Sequence, residues 1–260
     1  MTIMAGHVTF LFTVLIMGAI VLIGINMSQA GKWTPKIRRL AGLDAVEEAV
    51  GRATEMGAPV HFSPGIGNIS DDSAPQTFAG LEVLAYVTEL TAKYNTEIIV
   101  TIRQPNVFPL AQEIVRQSYL AAGRPDMFQE DTVQFLSSEQ FAYAAGVMGI
   151  MNRRNVAANL MMGAFWAESL LFAEAGAQVG AIQVAGTAAM AQLPFFVAAC
   201  DYTLIGEELY AAGAYLSQDK VKLGSIGSQD IVKGITMVIL LVGSLLATAD
   251  ITIIKDLLSK

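Results

Sequence analysis

A doubly wound, mostly parallel, Rossmann-like α/β sheet of about six strands, flanked by an apolar helix at each end of the chain, is the fold this sequence predicts. Three observations carry it. No charged residue falls between Glu174 and Asp201. Short apolar runs alternate with amphipathic ones from Pro59 to Leu216. Two longer uncharged runs, Val8 to Ile25 and Gly234 to Ala249, stand outside that pattern.

The stretch from Ala157 to Leu204 supplies the core. It parses as strands at Asn159 to Phe165, Ala181 to Ala185 and Phe195 to Ala199, joined by helices at Ser169 to Gln178 and Thr187 to Leu193. Continuous apolar strands separated by helices mean a parallel sheet covered on both faces. An intramembrane reading is the alternative. It fits less well, because Gln178, Gln183, Gln192 and Pro194 interrupt the run, and a bilayer span needs roughly 20 strongly apolar residues.

Ahead of the core, His7 to Met27 forms the first long apolar run. At ~1.5 Å per helical residue it matches the hydrocarbon thickness. A cleaved signal peptide needs a basic leading region, and Met1 to Gly6 has no Lys or Arg. Lys32, Lys36, Arg38 and Arg39 follow the run instead. The positive-inside rule then places the amino terminus outside and the next domain in the cytoplasm, with Trp33 as an interfacial anchor. Leu43 to Met56 repeats apolar residues at helical spacing, turns Glu47, Glu48, Arg52 and Glu55 outward, and ends at Gly57 and Pro59.

Three more strands precede the core, at Pro59 to Ser63, Glu97 to Arg103 and Asp131 to Leu136. Their helices are Gln76 to Tyr94, Val107 to Ala122 and Glu139 to Asn152, the last with Ser137 or Ser138 as N-cap. A final helix runs from Glu207 to Leu216. Strands each followed by a helix give a doubly wound sheet with right-handed crossovers; a (β/α)8 barrel needs two more units. The domains are then an anchor at 1–30, a juxtamembrane segment and helix at 31–58, the α/β domain at 59–217, a linker at 218–230, and a second span with its tail at 231–260. Lys220, Lys222 and Lys233 on the amino side of the second span suit a cytoplasmic entry. An amphipathic or buried terminal helix is the competing reading for that last run.

Composition narrows function. Of 260 residues, 53% are hydrophobic and only 15% charged, which leans toward a membrane protein. The net charge of -7 gives no basic face for nucleic acid. Cys200 is the one cysteine, so no internal disulfide forms; at the end of an apolar run it reads as a small buried hydrophobe. Two histidines make a His-based metal cluster untenable, and no metal site is assigned.

In an open α/β sheet, ligands bind beyond the carboxyl ends of the strands. The loop His61 to Ser73 is therefore the first candidate site. Gly65, Gly67 and Ser70 echo a dinucleotide G-x-G-x-x-G only loosely, since the glycines of that fingerprint sit in a tight strand-to-helix turn. Arg103, at the end of the second strand, suits a phosphate or stands as a solvated charge. Asp71 and Asp72 read as hard-cation ligands or as turn formers, and His61 as a site residue or a satisfied core histidine. Glu168 and Glu174 sit in apolar surroundings, with Glu168 at the ligand edge and Asp201 also reaching toward it. The expected ligand-binding set is His61, Ser63, Gly65, Gly67, Asn68, Asp71, Arg103 and Glu168, with His61, Ser63, Asn68 and Glu168 lining a polar pocket and the glycines letting backbone approach a ligand closely. No cofactor and no nucleophile–base arrangement can be assigned.

Gly51-Arg52-Ala53, HFSPGIG at 61–67, GAFWAESLLFAEAGAQ at 163–178 and GTAAMAQLPFF at 186–196 carry a resemblance. From about residue 30 to 250 the chain resembles an uncharacterised prokaryotic family of membrane-anchored proteins that carry a domain of unknown function. The resemblance implies a membrane location and supplies no catalytic residue.

The functional expectation is a membrane-anchored cytoplasmic α/β module, acting as a self-assembling scaffold or ligand-sensing protein. Its expected partners are the lipid bilayer and further copies of the chain. Two alternatives stay open: an enzyme acting on a small anionic or nucleotide-like ligand, and a subunit of a larger membrane complex.

Overall fold

The computed structural model describes residues 8–36 and 38–248. The chain divides into an α/β unit, Arg39–Leu216, and a second unit built from the segments on either side of it. Expectations that touch Met1 to His7, Ala249, Asp250 and the tail lie outside the described residues.

The α/β unit holds strands β1 (Val60–Gly65), β2 (Ile98–Ile102), β3 (Val133–Phe135), β4 (Ala158–Ala164), β5 (Ile182–Thr187) and β6 (Tyr202–Ile205). Its helices are α2 (Ala41–Met56), α3 (Ala74–Tyr94), α4 (Phe108–Ala121), α5 (Gln140–Arg154), α6 (Glu168–Gln178), α7 (Leu193–Ala199) and α8 (Glu207–Ser217). The strands form one parallel sheet in the order β3-β2-β1-β4-β5-β6. This is the doubly wound Rossmann-like arrangement the sequence predicts. Every residue of β1, β2, β4 and β5 is buried, as the unbroken apolar runs require. Helices stop where the chain can turn left-handed: α2 at Gly57, α3 at Asn95 and α5 at Asn155.

Strand alternation sends successive side chains to opposite faces. On one face Val60, Phe62, Val100, Leu160 and Val184 pack with Val46, Leu84, Val115 and Leu209 of α2, α3, α4 and α8. On the other, Met161 and Ala185 pack with Tyr143, Val147, Phe172 and Phe196 of α5, α6 and α7.

Several element assignments need correction. Phe195 to Ala199 is not a strand; it lies in α7, and Thr187 to Leu193 is not a helix, since Thr187 ends β5. Pro194 explains the shift: it is tolerated in the first turn of a helix and excluded from a central strand. Within α7 Phe196 is buried, whereas Phe195 and Val197 point outward. The sixth strand is Tyr202–Ile205, an edge strand with only Leu204 fully buried. Asp201 precedes that strand, and its Oδ2 accepts the Gln183 N–H at 2.8 Å, which puts it at the amino end of the sheet and away from the ligand edge. Glu174 is exposed on α6. Glu139 itself occupies the N-cap position of α5, while the Ser137 hydroxyl accepts the Glu139 N–H.

The segment 218–230 is not a linker. Helix α9 runs from Lys220 to Thr248, and Asp219 Oδ1 caps it by accepting the N–H groups of Val221 and Lys222, each at 2.9 Å. The glycines and serines that suggest turns are instead a packing surface. In the second unit α1 (Val8–Gln29) and α9 lie antiparallel, with Gly24 against Ser228 and Gly224 against Ser28. Each glycine receives the serine of the other helix, the small-residue contact by which membrane helices approach closely. Gly31 ends α1 in a left-handed turn, and Trp33 folds back beside Gly24 and Gly227. Both helices are long and apolar enough to cross a membrane, and their apolar side chains face outward, with Phe10 68% and Leu245 71% exposed.

Candidate functional site

The switch point of the sheet lies between β1 and β4, where the following helices α3 and α6 leave to opposite faces. A ligand crevice is expected beyond the carboxyl ends of these two strands. At these ends the backbones of the two strands approach each other closely. Gly65, at φ +84°, leaves room for the Ala164 carbonyl, and Gly163, at φ +149°, leaves room for the Pro64 carbonyl. Ile66 N–H donates to Ala164 O at 2.8 Å. Gly80 of α3 abuts the Met162 carbonyl in the same way. A Cβ on Gly67 would come within 2.8 Å of Ser73 Oγ and 2.9 Å of Ala164 Cβ. Gly65 and Gly67 thus allow close approach by the chain's own atoms.

The loop beyond them is tied down by short polar contacts. Asn68 Oδ1 accepts from Ile69 N–H at 2.7 Å, from Ser70 Oγ at 3.2 Å and from Asn106 Nδ2. The Asn68 N–H donates to Ser73 Oγ at 2.8 Å. Arg103 Nη1 and Gln104 Nε2 both donate to Ile66 O, at 3.3 and 3.0 Å. Asp71 is exposed and accepts from the hydroxyl and the N–H of Ser73; these bonds hold its carboxyl below the usual range. That is the geometry of a turn former. Among the described residues no three His, Cys, Asp or Glu side chains gather as metal ligands.

His61 and Ser63 belong to a buried hydrogen-bonded row on the α5/α6 face of the sheet. His61 Nδ1 lies 2.9 Å from Asn159 Oδ1, and Nε2 lies 2.9 Å from Thr101 Oγ1. Asn159 Nδ2 donates to Gln183 Oε1 at 3.0 Å, and Gln183 Nε2 to Ala173 O at 2.8 Å. The partners assign the tautomer: with its amide N–H committed to Gln183, Asn159 accepts the proton on His61 Nδ1, and Nε2 accepts from Thr101. Ser63 Oγ meets Tyr143 OH at 2.9 Å, and Tyr143 OH donates to Thr101 O at 3.0 Å. Burial drives the His61 pKa down to about 4, against a smaller upward pull from Asn159. Burial likewise pushes the Tyr143 phenol up to about 12.

At the mouth of this row stand Glu168 and Arg103, both close enough to act electrostatically on Tyr143. Glu168 is the first residue of α6 and is fully buried; Oε1 accepts the Trp166 N–H at 2.8 Å and Oε2 accepts from Gln140. Arg103 Nε is buried without a partner among the described residues. The structure therefore brings His61, Ser63, Arg103 and Glu168 around Tyr143 and holds Asn68 and Asp71 in the overlying loop. His61, Ser63 and Glu168 have no exposed surface, so they form a closed polar core where an open pocket was expected. Tyr143 is the residue the sequence reading missed; a tyrosine inside the inward face of an otherwise apolar helix was the available signal.

Around the same edge a set of large apolar side chains is exposed in strand-to-helix connections and first helical turns. They are Phe78 (49%), Phe141 (69%), Trp166 (45%), Leu170 (40%), Met190 (78%) and Phe195 (44%). Comparison with family models matches residues 2–258 to Domain of unknown function (DUF6754), and the chain belongs to that family. No curated protein and no solved structure matches it.

Proposed function

We propose that this protein is a membrane-anchored α/β module that works by assembly with protein partners, including further copies of itself. In this reading α1 and α9 cross the bilayer and the sheet unit faces the cytoplasm. The observation that carries it is the set of large apolar side chains exposed around the carboxyl edge of the sheet, with Met190 at 78% and Phe141 at 69%. The apolar rim from Phe141 to Phe195 supports a role for that edge in protein contact, because apolar patches on soluble surfaces mark interaction sites. The basic residues Lys32, Lys36, Arg38 and Arg39 after α1, and Lys220 and Lys222 at the start of α9, support the orientation.

The test is the mass of the detergent-extracted particle. A multiple of the 27.7 kDa chain is expected, and Met190→Glu with Trp166→Glu should reduce it. A monomer overturns the proposal, and a mixed particle favours the larger-complex reading. For orientation, an impermeant thiol reagent applied to intact cells should leave Glu89→Cys unlabelled in a Cys200→Ala background; ready labelling defeats a cytoplasmic sheet unit.

One observation favours a second reading. The unpartnered Arg103 Nε at a strand's carboxyl end suits a small carboxylate or phosphate. Inorganic phosphate should then raise the melting temperature of the native chain and not of Arg103→Gln; no shift in either ends this reading.

A further inference from the structure

We infer that two copies of this chain associate within the membrane through the outward face of α9, where Gln229, Asp230 and Lys233 form a polar stripe. The inference rests on the membrane reading proposed above. It starts from the register of the two long helices. Gly24 stands opposite Ser228 and Ser28 opposite Gly224. Carried along both helices, that register sets Asp230 level with Leu22 and Lys233 level with Ala19.

The apolar run of α1 ends at Ile25, before Asn26, but the uncharged run of α9 begins only at Gly234. The two apolar bands are therefore staggered by the seven residues from Ala19 to Ile25, roughly 10 Å at the helical rise. If α1 sets the depth of the bilayer, Asp230 and Lys233 enter the hydrocarbon, where ionisable groups are costly and face protein. If α9 sets it, Leu22 and Ile23, 63% and 58% exposed, are left in water. Both placements call for a cover on the hairpin at this level.

The stripe shows what kind of cover fits. At ~100° per residue, Gln229, Asp230 and Lys233 fall on the side of α9 turned away from Gly224 and Ser228. Their exposure agrees: the Asp230 and Lys233 side chains are 66% and 49% accessible and paired at 3.4 Å. Gln229 makes one long bond, 3.4 Å to Ser225 of its own helix. Further along the same side come Met237 and Leu240, 64% and 65% exposed. A covering surface must be polar for one turn and apolar beyond it.

A second copy, related by a two-fold axis along the membrane normal, meets that demand. An amide both donates and accepts, so Gln229 can pair with its own counterpart. Asp230 of one chain and Lys233 of its partner carry opposite charges about one helical turn apart, within reach across a helix pair. The contact is isologous, as closed dimers require.

Disulfide trapping of the full chain in native membranes tests this, in a Cys200→Ala background with Gln229→Cys or Val232→Cys added. Val232 is buried in the monomer and serves as the control on the same helix. Gln229→Cys should give a covalent dimer at least about tenfold more abundant than Val232→Cys does, the difference a specific helix face produces. Absence of dimer at position 229, or equal trapping at both positions, overturns the inference if the protein stays in the membrane pellet after alkaline carbonate. Release by carbonate overturns the membrane reading itself, and the dimer with it.

Discussion

The two faces of one sheet are built from alternate residues of the same strands, yet they differ in kind. The face under α2, α3, α4 and α8 is apolar throughout, with Val60, Phe62, Val100, Leu160 and Val184 in line. The face under α5, α6 and α7 carries Thr101, His61, Asn159 and Gln183 as a hydrogen-bonded row across four strands. The first face is held by area removed from water, which tolerates changes of shape at moderate cost. The second is held by complete pairing, in which each donor has one acceptor and the loss of a member strands its neighbours. At the carboxyl ends of β1 and β4, where such a sheet changes direction, the two backbones close on each other at Gly65 and Gly163.

Substitutions on the two faces sharpen the contrast. The largest effect is expected at Asn159. Replacement by Leu leaves His61 Nδ1–H and Gln183 Oε1 unpaired in a dry core, a loss of about 3–5 kcal/mol when both partners are stranded. Its neighbour Leu160 faces the other way, and Leu160→Ala should cost about 2–5 kcal/mol by cavity formation. Thermal unfolding of the detergent-solubilised chain measures both. The distinction lies in rescue. A combined His61→Leu, Asn159→Leu and Gln183→Leu variant should recover part of the Asn159→Leu loss, and strict additivity would break the comparison.

The next effect is pH dependence. His61 binds its proton at 6.5 in the unfolded chain and only at about 4 when folded. The unfolded state therefore holds more protons across that interval. Stability is full above pH 6.5 and is lost as pH falls toward 4, by about 3 kcal/mol over the whole interval at 1.36 kcal/mol per pKa unit. His61→Gln should flatten the stability profile between pH 6.5 and 5. An unchanged slope there would remove His61 from the row's energetics. Tyr143→Phe deletes one hydroxyl from the row, with a smaller expected loss of about 1–2 kcal/mol; its hydrogen-exchange signature should be confined to the Ser63 and Thr101 region. Asp71→Ala, in the exposed loop, should leave the melting temperature unmoved, and a large drop would mean that the loop does more than turn.

Much of the architecture was legible because buried parallel strands advertise themselves as unbroken apolar runs. β1, β2, β4 and β5 stand within about two residues of where the pattern puts them. The edge strand β6 escaped, since Leu204 alone of its residues is fully buried and Phe195 to Ala199 is the more apolar segment. The start of α9 escaped for a different reason. Gly224, Gly227 and Ser228 look like turn residues in isolation, and only Ser28, Trp33 and Gly24, far away in the chain, make them a helix surface. The candidate site was half legible. Position along the strands was enough to group His61, Ser63, Arg103 and Glu168 at one edge. Their closure could not be read, because it depends on whether Gly65 and Gly163 face a ligand or each other's strands.

That long-range pairing of Gly24 with Ser228 and of Ser28 with Gly224 sets a timetable for synthesis. A ribosome adds roughly 5–20 residues per second, so α1 waits on the order of 10–40 s before its partner helix exists. In the proposed membrane placement, α1 stands in the bilayer during that interval with its glycine and serine uncovered, and the sheet unit folds while tethered at one end only. The clasp is thus the last joint of the chain to close. Nascent chains arrested before Lys220 should carry a folded sheet unit yet show Ser28→Cys open to a lipid-soluble thiol reagent in the Cys200→Ala background, and release of the arrest should close it. Protection of that thiol before α9 has emerged would assign the clasp to some other membrane helix standing in for α9.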